Sequence, residues 1–77
     1  MSDRVRTIVA EVLGVDEREV DEDTSAVTLA EWDSLRHMNL VVALEEELGV
    51  RFDDDVVTKI TSVAAIREAL AQARRAA

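Results

Sequence analysis

The 77-residue sequence has no cysteine, no proline, only two glycines and only two aromatic residues, Trp32 and Phe52. Without cysteine there is neither a disulfide nor a thiolate metal site, and no redox compartment is implied. Without proline, and with glycine confined to Gly14 and Gly49, the chain lacks the punctuation of a turn-rich sheet and favours helices. So few aromatics leave the core to Val, Leu, Ile and Ala, and a 48% hydrophobic content is enough to form one. Positive charge is scarce too: nine Lys and Arg stand against 17 Asp and Glu, a formal net charge of −8. That balance argues against nucleic acid and anionic membranes as partners and suits basic patches on other proteins. No apolar run approaches transmembrane length, and the N-terminal residues lack the apolar stretch of a signal peptide. A cytosolic monomer is expected, a single domain over residues 1–77 of modest stability.

What is present reads as an all-α chain: a small four-helix bundle of three main helices and one short one, with a long loop between helices 1 and 2. Residues 3–13 set Val5, Ile8, Val9, Val12 and Leu13 at helical spacing, with Ser2 or Asp3 as N-cap and Gly14 as the stop. Val15 to Trp32 has no sustained period and predicts a loop anchored by Val20, Val27 and Leu29. A loop this long in so small a domain hints at function. Thr28 and Glu31 have capping-box spacing, so one helical turn is expected there. Ser34 to Leu48 is strongly helical and ends at Gly49, and Asp53 to Thr58 predicts a short helical turn with aspartates at its positive end. Ser62 then caps a last helix carrying Val63, Ile66, Ala69, Leu70 and Ala73, with Arg74 and Arg75 complementing its dipole.

The second helix carries two apolar stripes on nearly opposite sides: Leu40, Val41, Leu44 and Leu48, and Leu35, Met38 and Val42. One stripe is enough to seat a helix in a bundle. The second, beside Asn39, Glu45 and Glu46, has the composition of a docking surface with an acidic rim; the other reading puts both stripes in the core of a central helix.

Asp33 is a good N-cap for this helix, able to accept from the amides of Leu35 and Arg36. Ser34 then falls at the first helical position, where an attached anion would meet free amides and the positive dipole end. Asp-Ser is also an ordinary helix start. A catalytic serine would need a base and an orienting third group. His37, the only histidine, could approach across the first turn, but the chain is too small to enclose a substrate, so no catalytic residue is expected. The acidic runs at 45–47 and 53–55 lack the ligand spacing of a calcium loop, and no metal site is expected. Trp32 could shield the loop–helix junction or simply pack into the core.

Asp33-Ser34-Leu35 with Met38, Leu40, Val41, the run Ala43 to Leu48, Phe52 and Lys59 to Val63 resembles acyl carrier proteins over nearly the whole chain. The resemblance implies a carrier and not an enzyme. A phosphopantetheinyl transferase would move 4′-phosphopantetheine from coenzyme A onto the Ser34 hydroxyl, with Asp33 as the cap beside it, and the thiol would then carry acyl groups as thioesters. Acyl-loading and acyl-processing enzymes with basic docking patches would read Leu35, Met38, Val42, Glu45 and Glu46. Leu40, Leu44, Ile60 and Ile66 would line an acyl pocket.

The chain departs from the fatty-acid-synthesis members at Arg36 and His37, at Asn39 where glutamate is usual, and at Trp32 where a small residue is familiar. These departures favour specialised, polyketide-like biosynthesis. A peptidyl or aminoacyl carrier would share the fold and the modified serine, and a helical adaptor without a prosthetic group is the alternative outside carriers.

Overall fold

The computed structural model describes residues 3–76, the last three by their backbone alone. Asp3 starts the first helix: its carboxylate accepts from the Arg6 amide (3.3 Å), and α1 runs Arg4–Leu13. Ser2, the other predicted cap, lies outside the described residues. One face of α1 buries Val5, Ile8, Val9, Ala10 and Leu13. Gly14 then turns left-handed at φ 70° and its N–H closes on the Ala10 carbonyl. Gly49 (φ 66°) ends α2, Ser34–Leu48, in the same way. A Cβ at either glycine would meet nothing within 4 Å, so the requirement for glycine is one of backbone conformation, not space. The short helix α3, Asp54–Lys59, has Asp54 and Asp55 in its first turn and Lys59 in its last, matching the dipole at both ends. Ser62 caps α4, Val63–Ala76, by accepting from the Ala65 amide at 3.1 Å. The side chains of Arg74 and Arg75, predicted to complement that helix's dipole, lie outside the described residues.

Helix α1 packs against α2 and α4. Between them Leu13, Leu40, Leu44, Val63 and Ile66 are shut off from solvent, each contributing roughly 1.5–3 kcal/mol by burial. Among the described residues there is no strand longer than a single bridge. None of the helices is long and apolar enough to cross a membrane.

The segment joining α1 to α2 is more ordered than its composition suggests. Asp16 and Glu19 form a capping box around a 3₁₀ turn, Glu17–Glu19, inside the stretch whose lack of hydrophobic period predicts a loop. Val20 is buried and Leu29 half-buried, as anchors should be. Val27 is not an anchor: it is 95% exposed. It sits at the tip of a turn in which the Ser25 hydroxyl accepts from the amides of Val27 and Thr28, while the Thr28 hydroxyl accepts from the Ser25 amide. The same bonds explain why no helix starts at Thr28. Its hydroxyl closes the turn before it instead of capping the residues after it, and residues 28–31 form turns.

Two long-range ties fix this segment in place. Ala26 N–H donates to the Thr61 carbonyl (2.9 Å) and Val63 N–H to the Thr24 carbonyl (3.0 Å), making a bridge between Ser25 and Ser62. On the far side, the Arg67 guanidinium from α4 pairs with both Asp3 and Glu22. Together they hold the residues before Asp33 against the start of α4, and so fix where α2 begins.

Candidate functional site

The site is built at the first turn of α2. Asp33, in extended backbone, accepts the Arg36 amide on its carboxylate at 2.9 Å and the His37 amide on its carbonyl at 2.8 Å. The Leu35 amide is not among the donors to the Asp33 side chain, and the first two amides of the helix, those of Ser34 and Leu35, have no intrahelical acceptor. Ser34, the first helical residue, is exposed. Arg36 folds back over this turn, donating to the Glu31 carbonyl (3.2 Å) with its guanidinium 3.8 Å from the Asp33 carboxylate.

Beside Ser34 lies a cleft of about 450 Å³ between the start of α2 and α3. Its walls are Trp32, Asp33, Ser34, His37 and Met38 on one side, and Ala26, Val57, Thr58 and Thr61 on the other. Sequence reasoning marked the first group and missed the second. The α3 residues carry no motif, and only the bridge through Ser62 brings Ala26 and Thr61 to the same mouth.

His37 is not poised to act on Ser34. The Trp32 indole N–H, which can only donate, reaches His37 Nδ1 at 3.0 Å, so Nδ1 is the acceptor. Nε2 then bears the proton and donates to the Val57 carbonyl at 2.7 Å. The indole and imidazole rings also stack, their centroids 6.2 Å apart and their planes inclined by 27°. Both ring nitrogens are thus committed, and neither is free to take a proton from the serine. Trp32 is 3% exposed, packed into the core as well as facing the cleft.

The outer stripe of α2 stands clear of the bundle: Leu35 is 73%, Met38 52% and Val42 49% exposed. The reading in which both stripes are buried is therefore wrong: α1 packs on one side of α2, and on the other side these three side chains stay exposed. Glu46 is exposed alongside this stripe, whereas Glu45 is half-buried and its carboxylate accepts from the Phe52 amide at 2.9 Å, tying down the chain after Gly49. Leu40, Leu44, Ile60 and Ile66, the residues that the resemblance would place around an acyl pocket, are all buried, and Ile60 also lines a separate cleft of about 300 Å³ between α3 and α4. None of them lines the cleft beside Ser34. Among the described residues, no His, Asp and Glu side chains gather closely enough to hold a metal ion.

Comparison with known proteins bears on what such a site is for. Residues 3–70 match the family described as phosphopantetheine attachment site. The fold is similar to the solution structure of a holo acyl carrier protein from Geobacter metallireducens, with a TM-score of 0.82 and 29% sequence identity over 95% of this chain and 84% of that one. The site offers what a phosphodiester tether needs: an exposed hydroxyl at a helix start with free amides, and a cleft next to it. With the family match running through the core, the cleft and the serine, the chain belongs to the phosphopantetheine attachment site family and is a non-catalytic carrier protein of the acyl-carrier type, its prosthetic group a covalently held 4′-phosphopantetheine.

Proposed function

We propose that Ser34 is the hydroxyl that bears the 4′-phosphopantetheine. The observation that carries this reading is a contrast among the described serines. Ser25 and Ser62 spend their hydroxyls on a turn and a helix cap, whereas Ser34 is exposed at the mouth of the cleft. When bound, the group supplies a thiol on which acyl groups are carried as thioesters. The chain's own residues do the rest. Asp33 fixes the start of α2, the amides of Ser34 and Leu35 and the dipole behind them favour the phosphodiester, and Leu35, Met38 and Val42 with Glu46 present a surface for the enzymes that load and process the cargo. Those enzymes include a phosphopantetheinyl transferase, and the acidic chain favours partners with basic patches, in a cytosolic setting.

Incubation with coenzyme A, magnesium and a broad-specificity phosphopantetheinyl transferase should add the mass of one phosphopantetheine, mapped by fragmentation to the peptide containing Ser34. Ser34→Ala should add none. An adduct elsewhere, or none on the unaltered chain, refutes the assignment.

For the pathway, Arg36, His37 and Asn39 lower the acidity at the top of the docking surface, which supports specialised, polyketide-like biosynthesis over fatty-acid synthesis. Loading by a polyketide-type acyltransferase in preference to a fatty-acid-type one is the expected result; the reverse preference defeats it.

A further inference from the structure

The residues beside Ser34 also bear on which cargo the chain accepts. Three groups from three parts of the chain meet there in one line: the Trp32 indole before α2, the His37 imidazole in its first turn, and the Val57 carbonyl of α3. Each bond in that line is directional, and the donor-only indole sets the order of donors and acceptors along it. The line lies where the cleft ends and the closed core begins. Trp32, His37 and Val57 all face the cleft, while Trp32 is also part of the buried cluster that contains Leu40, Leu44, Ile60 and Ile66.

An alkyl chain passing from the cleft into that core on the side that Trp32, His37 and Val57 line would have to part His37 from Val57 or displace the indole. Parting them leaves the indole N–H of buried Trp32, or the half-buried imidazole and Val57 carbonyl, without a partner once an alkyl chain displaces water from the cleft, and an unpaired polar group there is costly. The core beyond offers little in return, since its residues are already packed against one another. The cleft itself, at about 450 Å³, falls at the small end of ligand pockets.

We propose that Trp32 and His37 form a clasp that determines cargo specificity: the chain holds short acyl groups in the outer cleft and keeps long alkyl chains out of its core. This rests on Ser34 being the attachment point. His37 is a positioning residue here, acting through Trp32 and Val57.

The test compares acetyl and decanoyl thioesters on the holo protein, loaded enzymatically and verified by mass as single adducts at Ser34. NMR would follow the methyl groups of Leu40, Leu44, Ile60 and Ile66, together with the Trp32 indole N–H. In the unaltered chain, lengthening the cargo should leave the four core residues' methyl resonances unmoved, and hydroxylamine should cleave both thioesters at the same rate. In His37→Ala, decanoyl should shift those methyls and be cleaved more slowly than acetyl, because the chain now enters the core. Core methyls that shift with decanoyl in the unaltered protein overturn the clasp, even if the variant does not fold.

If no adduct forms at Ser34, the attachment reading fails by itself. The clasp is then judged on the unmodified chain titrated with decanoyl pantetheine. Shifts confined to residues that line the cleft, Trp32 and Val57 among them, support it, and shifts in the core methyls, or none at all, overturn it.

Discussion

The two sides of α2 are made from the same kinds of residue and meet opposite fates. Leu40, Val41 and Leu44 face α1 and are closed to solvent, while Leu35, Met38 and Val42 stand in water on the other side. The inner stripe closes the bundle; the outer stripe, apart from Met38 at the cleft, is left open by the described residues. A small protein that leaves three large apolar side chains exposed on one helix, next to an exposed serine, has a surface suited to partners. The difference lies in the neighbours: α1 crosses one side, and the loop and α3 leave the other open except at the cleft.

Truncation breaks this contrast most sharply. Leu44→Ala removes a side chain with no exposure, and should destabilise the fold by about 2–5 kcal/mol. That is a large share of what a domain this small possesses. Leu35→Ala, on the outer stripe, should stay within about 0.5 kcal/mol of the unaltered chain. Urea unfolding followed by circular dichroism measures both. Equal losses would mean that the outer stripe is packed in solution and is not a free docking face.

The ends of α2 are held by devices that belong to neither stripe, and their removal should cost an intermediate amount. Gly49→Ala forces a Cβ into the left-handed region at φ 66°, although nothing obstructs it, and should cost about 1–2 kcal/mol. Asp33→Ala removes the acceptor for the Arg36 amide, at a cost of about 1 kcal/mol. The same unfolding measurements apply. A Gly49→Ala variant as stable as the unaltered chain would show that the helix can end in another conformation.

These particulars also show what the sequence could and could not disclose. The stops at Gly14 and Gly49, the caps at Asp3, Asp33 and Ser62, and the presence of two stripes on α2 are local features, fixed by spacing over a few residues, and they were readable. The capping box of Asp16 and Glu19 has equally local spacing but lies in a stretch without hydrophobic period, which hides it. Thr28 closes a turn where its spacing predicts a cap, because a hydroxyl can cap forwards or close a turn backwards and spacing alone does not choose. The tie between Ser25 and Ser62, the meeting of His37 with Val57, and the pairing of Arg67 with Asp3 join residues 20 to 64 positions apart. Periodicity carries no information about such contacts. For the same reason helical spacing could place Leu40 and Leu44 on an inward face, but could not say whether that face borders a cavity or a filled core.

The smallest effect is electrostatic and lies away from both stripes, where Arg67 joins α4 to the start of α1. Its hydrogen bond to Asp3 is the main cause of that carboxyl's depression below its ordinary 3.8, helped by the Arg6 amide and opposed by partial burial. A carboxyl depressed in the folded state contributes stability that is fully present above the unfolded value and is lost as pH falls through the folded one. The contribution of Asp3 should therefore persist at neutral pH and fade progressively as pH falls below about 4, while Arg67, whose own pKa is raised, stays charged throughout. Both partners remain about a third exposed, so water and salt screen the pair and the loss is small. Arg67→Met keeps the Asp3 cap on α1 but removes the pairing with Asp3 and, with it, the exposed one with Glu22. Its stability should decline less between pH 5 and pH 3 than that of the unaltered chain, and added salt should narrow the gap. If the two chains lose stability in parallel over that range, the cap and not the ion pair sets the titration of Asp3.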